Sequence, residues 1–461
     1  MKKIISSILF IFLINYCVYS NTDSIDFINK YRPIAEKIIS YAYKDSSAWQ
    51  RLAYMTDVYG PRLSGSKNLE KALDWMLEQM SKDNFDNVRA EKVMVTNWYR
   101  NSETAKLLYP REANIPITAL GGSIATPRGG IIGEIVVVKD KKELDSLGKT
   151  NIEGKIVVYN QPFINYGQSV QYRFYGAQWA AKYGAIASLI RSVSPLIMRN
   201  LHTGVMAYND SIPKIPHAAI SPEDVMLLER LISYGIKPRI LIDLDVGQHP
   251  DSESRNIMCE IKGSKYPDEI IALGGHTDSW DLGTGAQDDG SGVMSTWFAT
   301  KLIKELGLKP KRTIRMVQWV NEENGAKGGI AYKEAHKNEK HILVFEHDSG
   351  VFPPSAIRLS GADSILTKLK YAEPLFKMIH DEMTVSNHGG GVDIEPMMDI
   401  GVPGMSLSTN GRGKYFQYHH SYSDMVDKVD PFELNQNIAT IALAIYLYSD
   451  LEIDFPNNIK K

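Results

Sequence analysis

The sequence is poor in cysteine and has no long apolar run, charge block or repeat. Only two cysteines, Cys17 and Cys259, occur among 461 residues. Since Cys17 lies in the leader described below, we predict no disulfide within the mature chain. After that leader no run of about 18 apolar residues follows, so we expect no stable membrane span. The formal net charge is only −2, and the lack of a basic block argues against a nucleic-acid partner.

The composition that remains is that of a large globular protein, with 43% hydrophobic and 23% charged residues. Such a length favours about two or three domains. The first twenty residues differ, because two lysines precede an apolar run from Ile4 to Leu13. This pattern predicts a signal peptide at residues 1–20 and an exported protein, periplasmic or secreted. We expect no lipid anchor at Cys17, because Tyr16 is too bulky for the position before a lipidated cysteine.

Three parts follow the leader. Residues 21–111 carry amphipathic helix patterns and alternating strands, and we expect them to pack onto a later domain. Residues 112–248 combine short strand-like runs with turn residues, which predicts a small β-rich inserted domain with a covering or recognition role. From residue 249 to 461 strands alternate with helices, which predicts a doubly wound α/β domain with a mixed, mostly parallel sheet. Its predicted helices are Asp289–Leu306, Gly329–Lys337, Asp363–Asp381 and Pro431–Asp450.

A glycine-rich stretch, residues 271–293, concentrates metal-ligand chemistry just after a short apolar strand. In open α/β sheets, ligands collect beyond the carboxyl ends of the strands. His276 offers a neutral nitrogen there, and Asp288 or Asp289 offers a hard oxygen. The carboxylate of Asp278 could orient the imidazole. A chance turn with a surface histidine would give the same His-x-Asp pattern, so the downstream motifs have to decide.

Further strand ends repeat the pattern. Each motif is ordinary by itself, since paired glutamates usually lie on a solvated helix face. Together they place histidine and carboxylate side chains at the same edge of one sheet, which predicts a metal centre. The residues concerned are Glu322 and Glu323 after one strand, Asp348 after the next, and His419 and His420 in a C-terminal loop.

With these motifs the sequence resembles the carboxypeptidase Q (plasma glutamate carboxypeptidase) branch of the di-zinc aminopeptidase-like metallopeptidases. The resemblance covers essentially the whole mature chain. It implies a zinc-peptidase fold of the phosphorylase/hydrolase-like type, in which residues 112–248 correspond to an inserted protease-associated domain. It rests on the segments GGHTDSWDLGTGAQDDGSG, NEENG, HDSG, GVDIEPMMDIGVPG and YFQYHHSYSD.

The same resemblance implies two zinc ions per chain, bridged by Asp288. His276 and Asp348 would complete one metal site, and Glu323 and His420 the other. In this family the peptide bond after the bridging aspartate is cis. A bridging ligand needs a carboxylate, because its two oxygens can reach two metal ions at once.

The remaining site residues also follow from the resemblance. His420 is preferred over His419 because the family's ligand stands four residues before an aspartate, here Asp424; a register shift by one residue would give the role to His419. Glu322 would be the general base and Asp278 the carboxylate that supports the first histidine. Adjacent glutamates can divide these tasks because their side chains point in different directions.

The predicted function is an exported di-zinc exopeptidase that hydrolyses dipeptides or short peptides with free termini, using zinc-bound water as the nucleophile. Alternatives are a broader aminopeptidase, a single-zinc glutaminyl cyclase, which the insertion argues against, and an inactive binding ectodomain, which the complete ligand set argues against. Asp393 either faces the substrate or caps the next helix, and Tyr418 either lines the substrate pocket or belongs to the core. A homodimer is left open.

Overall fold

A mixed β-sheet runs through the residues that this computed structural model describes, 23–453 and 455. The predicted signal peptide and Cys17 lie outside those residues. Within the described ranges no helix has both the length and the apolar character needed to cross a bilayer. Cys259 is buried and carries a free thiol.

The helices and strands are numbered in chain order. The helices are α1 (23–42), α2 (Ser47–Tyr59), α3 (Lys67–Lys82), α4 (Lys141–Ile152), α5 (Tyr166–Ala181), α6 (Pro222–Ser233), α7 (Ser291–Glu305), α8 (Lys327–His336), α9 (Asp363–Lys370), α10 (Glu373–Phe376), α11 (Glu395–Asp399), α12 (Arg412–Tyr418) and α13 (Pro431–Asp450). The strands are β1 (Asp86–Tyr109), β2 (Ala113–Asn114), β3 (Ile117–Ala119), β4 (Ile131–Val138), β5 (Ile156–Tyr159), β6 (Ala187–Arg191), β7 (His217–Ile220), β8 (Arg239–Ile261), β9 (Tyr266–Gly274), β10 (Arg312–Gln318), β11 (Lys340–Glu346), β12 (Pro354–Ser360), β13 (Thr384–Asn387) and β14 (Gly404–Thr409).

The strand order is β13-β12-β14-β11-β9-β10-β8-β4-β5-β6-β7-β3, with β1 paired to β8 and to β2. Strands β14, β11, β9 and β10 are parallel neighbours, so their carboxyl ends lie at one edge of the sheet. Every residue of β10 and all but the first residue of β11 are buried, as expected for parallel strands that are covered on both faces. The mixed α/β fold predicted from the sequence is confirmed.

The long strand β8 joins the two halves of the sheet. Its first residues pair with β4 and its last residues pair with β10, while β1 runs antiparallel along its length. The predicted domain boundary at residue 248 therefore falls inside a continuous strand. The division into parts 21–111, 112–248 and 249–461 stays a prediction. The middle part, which we call the inserted segment, carries helices α4, α5 and α6 beside its strands.

Helix α13 lies in the core of the C-terminal part. Asp430 caps it by accepting hydrogen bonds from the amides of Phe432 and Glu433, and Pro431 occupies its first turn. Every residue from Leu434 to Asp450 is buried, as expected for a helix whose middle, from Ile438 to Leu447, is almost entirely apolar. It packs against α7, α2, β10 and β12.

The single helix predicted from Asp363 to Asp381 is wrong. The structure divides it into α9, which ends at Lys370, and the short α10, which ends at Phe376. Pro374 lies in the first turn of α10. Because proline lacks the amide hydrogen and clashes with the carbonyl four residues earlier, the first helix cannot continue through it. Sequence reasoning also missed α1.

Truncating a core side chain of α13 should destabilise the protein strongly. Leu443 is 0% exposed, whereas Ile330 on α8 is 46% exposed. We expect Leu443→Ala to lower the free energy of unfolding by about 2–5 kcal/mol, and Ile330→Ala by about 0.5 kcal/mol or less. Denaturant titrations of the two variants measure this difference. Equal losses would contradict the central place given to α13.

Candidate metal centre

His276 lies just beyond β9, where two glycines let the backbone approach β10. A Cβ on Gly274 would lie 1.5 Å from the Val317 carbonyl oxygen, so only glycine fits there. The His276 ring is buried, and its Nδ1 lies 3.0 Å from the backbone carbonyl oxygen of Asp278. A carbonyl at Nδ1 holds the proton on that nitrogen and leaves Nε2 free as a ligand atom.

The observed contacts of Asp278 differ in detail from the expectation that its carboxylate orients His276. Its nearest carboxylate oxygen lies 3.8 Å from His276 Nδ1, farther than its own backbone carbonyl. The carboxylate instead accepts hydrogen bonds from the Glu322 amide at 3.1 Å and from the Ser64 hydroxyl at 2.8 Å. It therefore ties the loop after β10 to the loop that follows α2.

The two adjacent aspartates have different surroundings. Asp289 accepts hydrogen bonds from the amides of His276 at 3.0 Å and Gly292 at 3.1 Å, so both its oxygens serve the backbone at the start of α7. The Oδ2 of Asp288 is buried without a hydrogen-bond partner among the described residues. The peptide bond between the two is cis, as predicted. Asp288 is therefore the aspartate whose oxygen is free to bind a ligand.

Asp424 holds the backbone that carries Asp288. Its carboxylate accepts hydrogen bonds from the amides of Gln287 at 2.7 Å and Asp288 at 3.1 Å. Burial, together with the charge of Asp288, raises the pKa of Asp424 to about 7. In the sequence Asp424 served only to align the C-terminal motif, and its contact with this loop was not foreseen.

Arg62 supports the same loop from the other side, and nothing in the sequence singled it out. Its buried guanidinium donates to the carbonyl oxygens of Thr277 at 2.8 Å, Thr284 at 2.7 Å and Gly285 at 3.0 Å. Burial lowers the pKa of Arg62 to about 10, against the attraction of nearby aspartates. One side chain thus donates hydrogen bonds to three carbonyl oxygens of the glycine-rich stretch.

Side chains from the loops after β9, β10 and β11, and from the loop after helix α12, converge around Asp288. Its Oδ1 lies 3.3 Å from His276 Nε2, and its Oδ2 lies 3.2 Å from His420 Nε2. The same His420 nitrogen is 2.9 Å from Glu323 Oε2, and His276 Nε2 is 3.8 Å from Asp348 Oδ1. Burial favours the neutral form of Asp288, but the two imidazoles outweigh it and lower its pKa.

The two adjacent histidines both approach Asp288 but are not equivalent. His419 Nε2 lies 3.6 Å from Asp288 Oδ2, and its ring stacks on that of His420 at 3.5 Å between centroids. Burial and the neighbouring His420 lower the pKa of His419. Burial acts in the same direction on His420, yet Glu323 and Asp288 raise its pKa to about 9. The geometry favours His420, which reaches two carboxylates, over His419.

The donor set fits a divalent metal ion. The buried atoms His276 Nε2, Asp288 Oδ2 and Glu323 Oε1 have no hydrogen-bond partner within the described ranges. One ligand atom from each of these residues lies within 4.8 Å of the others, and the same holds for Asp288, His419 and His420. Burying unpaired carboxylates is costly unless a cation compensates them. Imidazole nitrogen with carboxylate oxygen is a usual zinc environment.

Glu346, which sequence reasoning did not single out, holds the backbone just before the short helix α11. Its Oε2 accepts hydrogen bonds from the amides of Asp393 at 2.9 Å and Ile394 at 3.2 Å. The capping role left open for Asp393 is not observed, because its carboxylate accepts no hydrogen bond from the first amides of α11. Both carboxylate oxygens of Asp393 are buried without a partner in the described part of the chain. Tyr418 is half-buried and packs beside the aromatic cluster of Phe352, Tyr415 and Phe416.

Relatives with known names resemble this chain over most of its length. The model of peptidase family M28 matches residues 256–445. Human carboxypeptidase Q is 42% identical over 430 residues, which cover 92% of this chain and 90% of the relative. The chain belongs to peptidase family M28. Its prediction as a metallopeptidase is confirmed, and peptides are its substrates.

Solved structures of family members have the same architecture. The crystal structure of a peptidase M28 precursor from Shewanella amazonensis SB2B has a TM-score of 0.89 at 34% identity, covering 93% of this chain and 98% of that one. BSAP, a zinc aminopeptidase from Bacillus subtilis, has a TM-score of 0.66 at 18% identity, covering 90% and 99%. At that identity the second comparison supports the fold alone.

Replacing the Asp424 carboxylate by an amide should destabilise the loop that carries Asp288. We expect Asp424→Asn to lower the free energy of unfolding by about 1–3 kcal/mol, because one buried amide loses its hydrogen-bond acceptor. Asp427→Asn is the control, since the Asp427 side chain is 65% exposed. Chemical denaturation compares the variants. If Asp424→Asn were as stable as the control, the supporting role of Asp424 would be refuted.

Proposed function

We propose that this M28 peptidase is an exported, zinc-dependent exopeptidase that cleaves dipeptides or short peptides with free termini. The observation that carries the proposal is the approach of two imidazoles to opposite oxygens of Asp288, at 3.3 and 3.2 Å. The names of carboxypeptidase Q and of the Bacillus zinc aminopeptidase support exopeptidase chemistry and zinc. The signal-peptide pattern in the sequence of residues 1–20 supports export.

The assignment of the metal ligands is part of this proposal. Asp288 would be shared by two zinc ions, with His276 and Asp348 holding one and Glu323 and His420 holding the other. When bound, the zinc ions supply Lewis acidity that lowers the pKa of water and polarises the scissile carbonyl. This assignment is supported by the three buried ligand atoms without a hydrogen-bond partner, His276 Nε2, Asp288 Oδ2 and Glu323 Oε1.

Glu322 is the proposed general base. Its side chain is 14% exposed and lies 3.9 Å from His276 Nε2, whereas the Glu323 side chain is 4% exposed and lies against His420. Burial raises the pKa of Glu322; His276 opposes this, while Asp348 and Glu323 add to it. A carboxylate with raised proton affinity, accessible from the cleft, can take the proton of the attacking water and return it to the leaving amine.

A cavity beside Asp348 is suited to one end of a short peptide. It encloses about 370 Å³ and is lined by Asp348, Arg358, Tyr415, Phe416 and several serines. We propose that this cavity receives a substrate residue, with Tyr418 at its aromatic side. The unpartnered carboxylate of Asp393 would bind the free ammonium group of the peptide, since a buried carboxylate without a partner favours a cation.

Substituting the two adjacent glutamates should impair the enzyme in different ways. We expect Glu322→Gln to keep about two zinc ions per chain while turnover falls by about 10²–10⁴, because glutamine keeps the shape but is not a base. Glu323→Gln should lose zinc, because it removes a charged ligand. Metal analysis and steady-state kinetics of both proteins test this. Loss of zinc from both variants would refute the division of roles.

A panel of peptides with free and blocked termini tests the exopeptidase assignment. We expect free dipeptides to be cleaved and peptides blocked at both ends to resist, because termini are bound at fixed places. Asp393→Asn should raise KM for free peptides but not for N-acetylated ones. Glu395→Gln, on the exposed side of the same short helix, should leave KM unchanged for both kinds of peptide. Efficient cleavage of doubly blocked peptides would refute exopeptidase activity.

A further inference from the structure

The two histidines of the proposed metal centre are oriented by the same device but from different parts of the chain. Nδ1 of His276 faces the carbonyl oxygen of Asp278 at 3.0 Å, within its own loop. Nδ1 of His420 faces the carbonyl oxygen of Thr203 at 3.3 Å, 217 residues away in the inserted segment. For Nε2 to bind a metal, Nδ1 must carry the proton, and a carbonyl acceptor fixes that tautomer.

Residues 200–205, which we call the clamp, also hold the backbone around His420. The Thr203 amide donates to the His420 carbonyl oxygen at 2.9 Å. The ring nitrogen Nδ1 of His202 lies 2.7 Å from the His419 carbonyl oxygen, and His202 forms an antiparallel bridge with Ser421. His420 has a φ of 60°, a conformation that a non-glycine residue keeps only when its surroundings enforce it.

Arg173 on α5 contacts both the clamp and His420. Its Nη1 lies 3.4 Å from the Thr203 carbonyl oxygen and 3.2 Å from His420 Nδ1. With Nδ1 protonated, Arg173 cannot donate to it, so both side chains donate to the one carbonyl oxygen. The Nε of Arg173 donates to the Val205 carbonyl oxygen at 3.2 Å, which anchors the guanidinium to the clamp.

Gly204 is the point where the clamp has no space for a side chain. Its φ is 131°, and a Cβ there would lie 2.3 Å from Arg173 Nη1 and 2.7 Å from His420 Nδ1. Any larger residue must displace the guanidinium or the imidazole. Because the interior is densely packed, neither group can move without losing buried hydrogen bonds.

We propose that the clamp, with Arg173, is a positioning element for His420, so that the inserted segment is required for metal binding at the site of His420 and Glu323. Its role is then more than the covering or recognition role expected from the sequence. The proposal rests on the proposed function, since it takes His420 as a zinc ligand. The clamp touches neither substrate nor metal; it acts through the orientation of one imidazole.

Gly204→Ala tests the clamp in the full-length protein. We load the variant with zinc, dialyse it against increasing EDTA, and count the retained zinc by atomic emission. We expect one of two zinc ions to leave at about 10–100-fold lower chelator concentration than in the wild type, while the other is retained as before. The matched control is Gly235→Ala, which has a φ of 77° in the same segment and nothing within 4 Å of the added Cβ; it should keep both ions.

A second pair of variants decides the matter if Gly204→Ala does not fold, as judged by circular dichroism and melting temperature. His202→Leu removes the donor to the His419 carbonyl and should lose one zinc ion early. His202→Asn keeps an N–H at a similar position and should restore retention. Wild-type retention of both ions in Gly204→Ala and His202→Leu would overturn the clamp. A wild-type protein that binds no zinc would instead overturn the proposed function.

Discussion

The contact of the buried Asp288 carboxylate with two imidazoles is the interaction on which the rest of the site depends. A buried charge is tolerated only when its surroundings compensate it. Here His276 and His420 face its two oxygens, and Asp424 holds its amide in place. Arg62 gathers the carbonyls of the same loop. The loop conformation and the charge distribution of the site therefore stabilise each other.

The parallel order of β14, β11, β9 and β10 explains why residues far apart in sequence meet at this carboxylate. Parallel strands end at one edge of a sheet. The loops directly after β9, β10 and β11 carry His276, Glu323 and Asp348, and His420 follows the helix α12 that comes after β14. Glycines at the strand ends, such as Gly274, allow the loops to approach closely. The site of this M28 peptidase is thus assembled from several loops at one sheet edge, and each sequence motif contributes only some of its residues.

The inserted segment contributes to this edge from outside the parallel sheet. The ribbon of β1 and β8 connects it to the catalytic strands, and residues 200–205 extend from it to His420. Burial makes each of these hydrogen bonds more consequential, because an unpaired partner would be left without water. A segment without any metal-ligand pattern of its own can in this way decide whether a distant ligand is correctly oriented.

The sequence by itself determined the fold class, the family and the set of chemical groups at the strand ends, because apolar runs and adjacent motif residues are local properties of the chain. The cis bond after Asp288 followed from the family resemblance. Tertiary structure alone showed that the Asp393 carboxylate does not cap α11, and it divided the helix predicted to reach Asp381. It also gave His420, which the motif alignment already preferred, contacts with two carboxylates. It also revealed Arg62, whose carbonyl partners lie more than 200 residues away, and Arg173, which reaches Thr203 and Val205 within the inserted segment and His420 beyond it. No local pattern records which distant carbonyl a buried guanidinium will meet.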